Sequence, residues 1–186
     1  MDKRNLIINA ALKLFVDNGF HGTATGKIAQ EAGVANGTLF NYFRTKDELV
    51  IALYVSVKED MADFLLKNTS NSDNLKEIMK SQFLASLFWA LDNQLKFRFI
   101  QQFHTSPYLE KVEQDIVQSQ VLPHLTLIQT GIDKGMIKKL PVDFVYAIVS
   151  SQTFGAYQYI ISKNMTKVQR HATIEQTFEL LWDMIT

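Results

Sequence analysis

The sequence of 186 residues has no cysteine, which excludes disulfides, thiolate metal sites and cysteine nucleophiles together. Proline is scarce, with three in the chain, and 47% of residues are hydrophobic, so disorder is excluded as well. There is no surplus of charge: Lys and Arg balance Asp and Glu, and residues 1–48 carry six of the first kind against five of the second. Bulk electrostatics therefore announce neither a nucleic acid nor a membrane surface. The longest uncharged run, 144–162, contains Ser150, Ser151, Gln152, Thr153, Gln158 and Ser162, too many polar groups for a lone lipid-facing span. The start, MDKRNLIINAALKLF, is interrupted by Lys13 where a signal peptide needs an unbroken apolar core, so a cytoplasmic location is expected. No stretch alternates with period two, which leaves an all-α reading.

Organisation centres on 23–46, TATGKIAQEAGVANGTLFNYFRTK. Ile28, Ala29 and Ala32 give one short helix an apolar face, with Thr25 expected as its N-cap. Gly33 breaks the pattern, and the run from Asn36 to Phe43 resumes it. That is the pattern of a helix-turn-helix. Gly33 supplies the backbone freedom of the turn, Ala29 lets the second helix cross closely, and Val34, Leu39 and Phe43 are expected to hold that helix from beneath. Outward remain Asn36, Gly37, Thr38, Phe40, Asn41 and Tyr42, without a carboxylate, as a helix entering a phosphate-lined groove requires. Lys27 and Lys46 stand at the ends of the motif as candidate phosphate contacts, and Thr25 joins them in the candidate DNA-binding set.

The longer run 19–49, GFHGTATGKIAQEAGVANGTLFNYFRTKDEL, resembles the DNA-binding domain of the TetR (tetracycline-repressor-like) family of bacterial regulators. The resemblance rests on the GF pair, the IA and AGV core, the GTLFNYF recognition helix and the TKDEL entry to the next helix, in that order. It implies a ligand-responsive homodimer that binds a double-stranded DNA operator, a repressor rather than an activator, with no cofactor and no enzymatic activity. At Ala24 and Ala35 the chain lacks hydroxyl residues common in the family.

Along the remaining chain, helices are expected from about Asp2 to Asn18 with Gly19 as C-cap, from a Thr45–Glu48 capping box to Lys67, and over 75–91. Asp92 is expected to cap the next helix. Ser106 and Pro107 should open another, Pro123 should kink or break the helical stretch that ends near Lys134, and the last two helices cover 141–162 and 166–185. About nine helices result: an N-terminal three-helix DNA-binding domain, 1–46, and a helical effector-binding and dimerisation domain, 47–186.

Other chemistry finds little support. GTATGK at 22–27 lacks the spacing and the hydroxyl residue of a phosphate-binding loop. His21, His104, His124 and His171 share no metal-ligand spacing, so no metal site is expected. The aromatic concentration between residues 83 and 108 is the informative feature, because pockets between bundled helices are where small-molecule sites form. Phe83, Leu87, Phe88, Trp89, Phe99, Phe103, His104 and Tyr157 are the candidate lining of an effector pocket. With no Lys or Arg in that set, an apolar or aromatic effector, uncharged or cationic, is expected. Phe154, Gly155, Ile174, Phe178, Leu181 and Ile185 are the candidate dimer interface, the last two helices of each chain forming a four-helix bundle.

Overall fold

The computed structural model describes residues 2–112 and 114–186. Among them the longer regular elements are all helices: α1 (Lys3–Gly22), α2 (Thr25–Glu31), α3 (Asn36–Tyr42), α4 (Lys46–Asn68), α5 (Leu75–Asp92), α6 (Gln94–His104), α7 (Gln114–Asp133), α8 (Val142–Ser162) and α9 (Lys167–Ile185). A short 3-10 helix, Leu109–Lys111, follows α6. The all-α expectation holds. The chain divides into two compact units, one made of Met1–Asp60 with Asn93–Ile116, the other of Met61–Asp92 with Val117–Thr186. Sequence order and spatial grouping therefore differ, since α6 belongs with the N-terminal helices.

In the first unit α1 is the floor. Ile7, Ala11 and Phe15 recur at helical spacing and are fully buried, while Asp2 caps the helix by accepting from the Arg4 amide at 3.2 Å. Gly19 interrupts α1 with φ 72° and ψ 167°, a region open essentially to glycine alone. The chain then completes one more turn to Gly22 instead of stopping at Asn18. α4 begins with Thr45 Oγ1 accepting from the Glu48 amide at 3.0 Å. The Glu48 carboxylate returns to the Arg44 amide at 2.9 Å, one residue earlier than a reciprocal capping box requires.

In the second unit α5, α8 and α9 pack pairwise. Phe83 of α5 meets Phe178 of α9 with ring centroids 5.9 Å apart, and Glu179 accepts from Lys76 at 2.6 Å and Lys80 at 3.2 Å. α9 starts with a complete capping box between Thr166 and Gln169.

Several expected boundaries move. Ala24, not Thr25, is the N-cap of α2, and Asn93, not Asp92, precedes α6. Ser106 and Pro107 lead into a turn and the 3-10 helix, with Ser106 Oγ accepting from the Tyr108 amide at 3.3 Å. Pro123 lies inside a continuous α7, because a proline deletes one donor and can bend a helix without ending it. Lys163 is the C-cap of α8. No helix of the described residues is long and apolar enough to cross a membrane.

Candidate nucleic-acid interface

The turn between α2 and α3 follows from its amides. The Gly33 amide bonds to the Gln30 carbonyl at 3.1 Å and the Val34 amide to the Ala29 carbonyl at 3.0 Å, with Gly33 at φ 66°. This is a Schellman stop, which requires a left-handed residue at the position Gly33 occupies. Below the turn Ile28, Ala29, Leu39 and Phe43 are buried to within 2% of complete, so they fix the crossing of the two helices.

With Leu39 and Phe43 turned inward, the opposite side of α3 is presented outward. Asn36, Gly37, Phe40, Asn41 and Tyr42 are exposed, and Thr38 is half-buried. Phe40 and Tyr42 keep 39% and 41% of their surface, so both aromatic rings are open to solvent on this face of the seven-residue helix. Lys27 is exposed, whereas Thr25 and Lys46 are half-buried. The set singled out in the sequence thus shares the motif's surface. Neither α2 nor α3 has a side-chain cap, Ala24 and Ala35 standing at those positions.

Thr23 is a residue that sequence reading missed. It is completely buried, and its hydroxyl lies 2.8 Å from the Gly19 carbonyl and 3.0 Å from the Leu14 carbonyl. The Gly19 carbonyl stands at the break in α1 and the Leu14 carbonyl one turn before it, so Thr23 holds the start of α2 to the broken helix. The signal for it was indirect: a hydroxyl residue four places after the glycine that ends a helix.

Around the motif, Lys13 donates to Glu31 at 2.9 Å and ties α1 to α2. That bond holds the Lys13 ammonium above its ordinary pKa and the Glu31 carboxyl below its own. Arg4 lies over the Phe43 ring, 5.5 Å from its centroid. Lys111 donates to Asp47 at 2.6 Å, which chiefly holds the Asp47 carboxyl below the usual range. Burial pulls Lys58 below the ordinary lysine value, and His104 is lowered first by its own partial burial and then by the charge of Lys58.

The candidate effector residues divide between the units. Phe83, Leu87, Phe88, Trp89 and Tyr157 belong to the second, and Phe99, Phe103 and His104 to the first. Phe99 and Phe103 are completely buried; Phe103 stacks on Tyr54 at 3.9 Å and both phenylalanines meet Phe20. Phe88 is half-buried against His171, 5.5 Å between centroids. An open groove of about 620 Å³ runs along α4 between Arg4 and Glu59 and includes none of the eight.

The candidate interface residues need a correction. Ile174, Phe178, Leu181 and Ile185 are at most 2% exposed within the single chain, because that stripe of α9 faces the chain's own core. Apolar side chains that remain outside include Leu180 and Met184 on α9 and Phe144 and Tyr159 on α8, from 44% to 66% exposed, with Ile161 on α8 and Val168 on α9 exposed as well. Gly155 is exposed between them and Phe154 is half-buried.

Residues 7–53 match the family described as bacterial regulatory proteins, tetR family. A solved tetR family structure from Shewanella sp. PV-4 superposes with a TM-score of 0.90 at 32% identity, over 100% of this chain and 98% of that one. The chain belongs to the TetR family. As a member it is a helix-turn-helix transcription regulator. A TetR family transcription regulator from Marinobacter aquaeolei VT8 is similar at 25% identity and a TM-score of 0.85, over 98% of this chain and 95% of that one. The fatty acid metabolism regulator protein of Bacillus subtilis (strain 168) is 42% identical over 59 residues, 32% of this chain and 29% of that protein. The chain therefore matches less than a third of that curated relative's length.

Proposed function

We propose that this TetR family member is a homodimeric repressor which grips a pseudo-palindromic operator through α3 of each protomer and leaves it when a small molecule binds the second half of the chain. The observation that carries the reading is the outward face of α3, with Asn36, Gly37, Phe40, Asn41 and Tyr42 exposed over a fully buried Leu39. Asn36, Thr38 and Asn41 read base edges. Tyr42, Lys46, Lys27 and Thr25 meet the backbone, which positions the protein without carrying sequence information.

The functional division is residues 1–46 for DNA and 47–186 for effector and partner. One motif covers too little DNA for tight specific binding, so two copies act together on half-sites about 34–36 Å apart or a multiple of it. The surface that joins them is the outer face of α8 and α9, where Phe144, Tyr159, Leu180 and Met184 lack a neighbour within the chain's core and Gly155 permits close approach of helices. The effector site lies around Phe83, Leu87, Phe88, Trp89 and Tyr157, and its ligand is apolar or aromatic. A ligand releases DNA only to the extent that it prefers the non-binding arrangement.

The test is selection of duplexes by the full chain from a random pool, followed by titration of the winner at several salt concentrations. A preferred two-fold sequence bound by a dimer supports the reading, and uniform binding to all duplexes overturns it.

A further inference from the structure

A recognition helix reads bases only when it is held in a fixed frame, and in the first unit that frame extends beyond residue 46. Just before the motif, Gln102 of α6 donates its Nε2 proton to the Val16 carbonyl at 3.1 Å, a carbonyl orphaned by the break at Gly19. The turn at Gly19 also sends Phe20 into a ring cluster with Phe99 at 5.8 Å, Phe103 at 6.4 Å and Tyr108 at 5.1 Å. Just after the motif, Asp47 in the first turn of α4 accepts from Lys111 at 2.6 Å. Lys111 in turn sits 5.2 Å from the centroid of the Tyr108 ring. One segment, 99–111, therefore holds both ends of the helix-turn-helix.

Packing alone does not account for these side chains. Gln102 buries its Oε1 without a partner, a cost that an apolar residue would not incur. The Lys111–Asp47 pair is about half exposed, at 51% and 46%, and pairs of that kind add little to global stability.

We propose that Gln102, Tyr108 and Lys111 are positioning residues for operator recognition, fixing the motif against α1 and α4 and so setting sequence-specific affinity without touching DNA. The proposal rests on the DNA-binding reading above. Its signature is a loss confined to specific binding, since misplacing the recognition helix costs base contacts while the charge that drives non-specific binding is unchanged.

The experiment titrates the full chain with its selected operator and with an unrelated duplex of equal length. Gln102→Met should weaken operator binding by about threefold to tenfold, the worth of one intramolecular hydrogen bond, and leave the unrelated duplex unaffected. Asp47→Asn removes a negative charge near the motif and on charge alone should tighten binding, yet positioning predicts weaker operator binding. Asp47→Asn with Lys111→Met should lose no more than either change alone, and Lys111→Arg should bind as wild type does. The Asp47 and Lys111 variants, being on the surface, keep the test open should Gln102→Met fold poorly. Unchanged operator affinity for Lys111→Met and Asp47→Asn overturns the proposal. So does an equal loss on both duplexes for Lys111→Met, which would make Lys111 a phosphate contact. A wild-type chain that binds no duplex refutes the DNA-binding reading itself.

Discussion

Replacing Thr23 by valine deletes one buried hydroxyl and preserves the shape of the joint between α1 and α2. The Leu14 carbonyl keeps a donor in Asn18 Nδ2 at 3.0 Å, but the Gly19 carbonyl loses the 2.8 Å bond and has no other side-chain donor. A buried acceptor stripped in this way costs about 1–3 kcal/mol. Thr23→Ser keeps the bond and removes a methyl group, worth about 0.8 kcal/mol. The ordering of wild type, serine, then valine is the prediction. Tryptophan fluorescence is blind here, because Trp89 and Trp182 both belong to the second unit. Hydrogen exchange of the amides in residues 14–30 reads the first unit directly, and the valine variant should exchange there about 5- to 150-fold faster. Valine exchange within twofold of wild type, or faster exchange in the serine variant than in valine, would refute the assignment of Thr23 as the clasp of this joint.

The other predictions concern backbone, assembly and pH. Gly19→Ala meets no neighbouring atom within 4 Å, yet its backbone region should cost about 1–3 kcal/mol, read as faster exchange in the same peptides; unaltered exchange would remove Gly19 from the account. Leu180→Glu with Tyr159→Glu should give folded monomers in sedimentation with little operator binding, whereas Phe178→Glu with Leu181→Glu should unfold the second unit. Dimers from the first pair, or folded monomers from the second, would place the interface elsewhere. His104 binds its proton less readily when folded, so its contribution is complete above the ordinary histidine value of about 6.5 and is lost as pH falls from there through the lower folded value. Because His104 is exposed, the loss is small. His104→Gln should flatten urea midpoints between pH 7 and pH 5, and Lys58→Met should reduce the slope by removing the neighbouring charge; an unchanged slope in His104→Gln would assign the acid loss to other groups.

Much of the first unit was legible because local rules and tertiary needs coincide there. Gly33 marks the turn, Leu39 and Phe43 give α3 one inward face, and the polar and aromatic remainder has only the outside left to it. The second half was less legible for a definite reason. α9 carries apolar residues on two faces, Ile174, Phe178, Leu181 and Ile185 on one and Leu180 and Met184 on the other, and periodicity cannot tell which meets the chain's own α5. The aromatic run presents the same difficulty. Phe99 and Phe103 are close in sequence to Phe88 and Trp89, but Phe20, made accessible by the turn at Gly19, draws them into the first unit. Thr23 and Gln102 were invisible because each answers a carbonyl at or near that turn, a need that exists only once α1 has folded.

The central claim is that α3 and its flank hold DNA, and titration of the selected operator with wild type, Tyr42→Ala and Lys46→Ala tests it most directly. Wild type should bind with an affinity that falls steeply with salt. Both variants, folded and dimeric by sedimentation, should bind far more weakly whatever the duplex sequence, and Lys46→Ala should reduce the logarithmic salt slope by about one. Wild-type affinity and wild-type salt slope in both variants would contradict the claim.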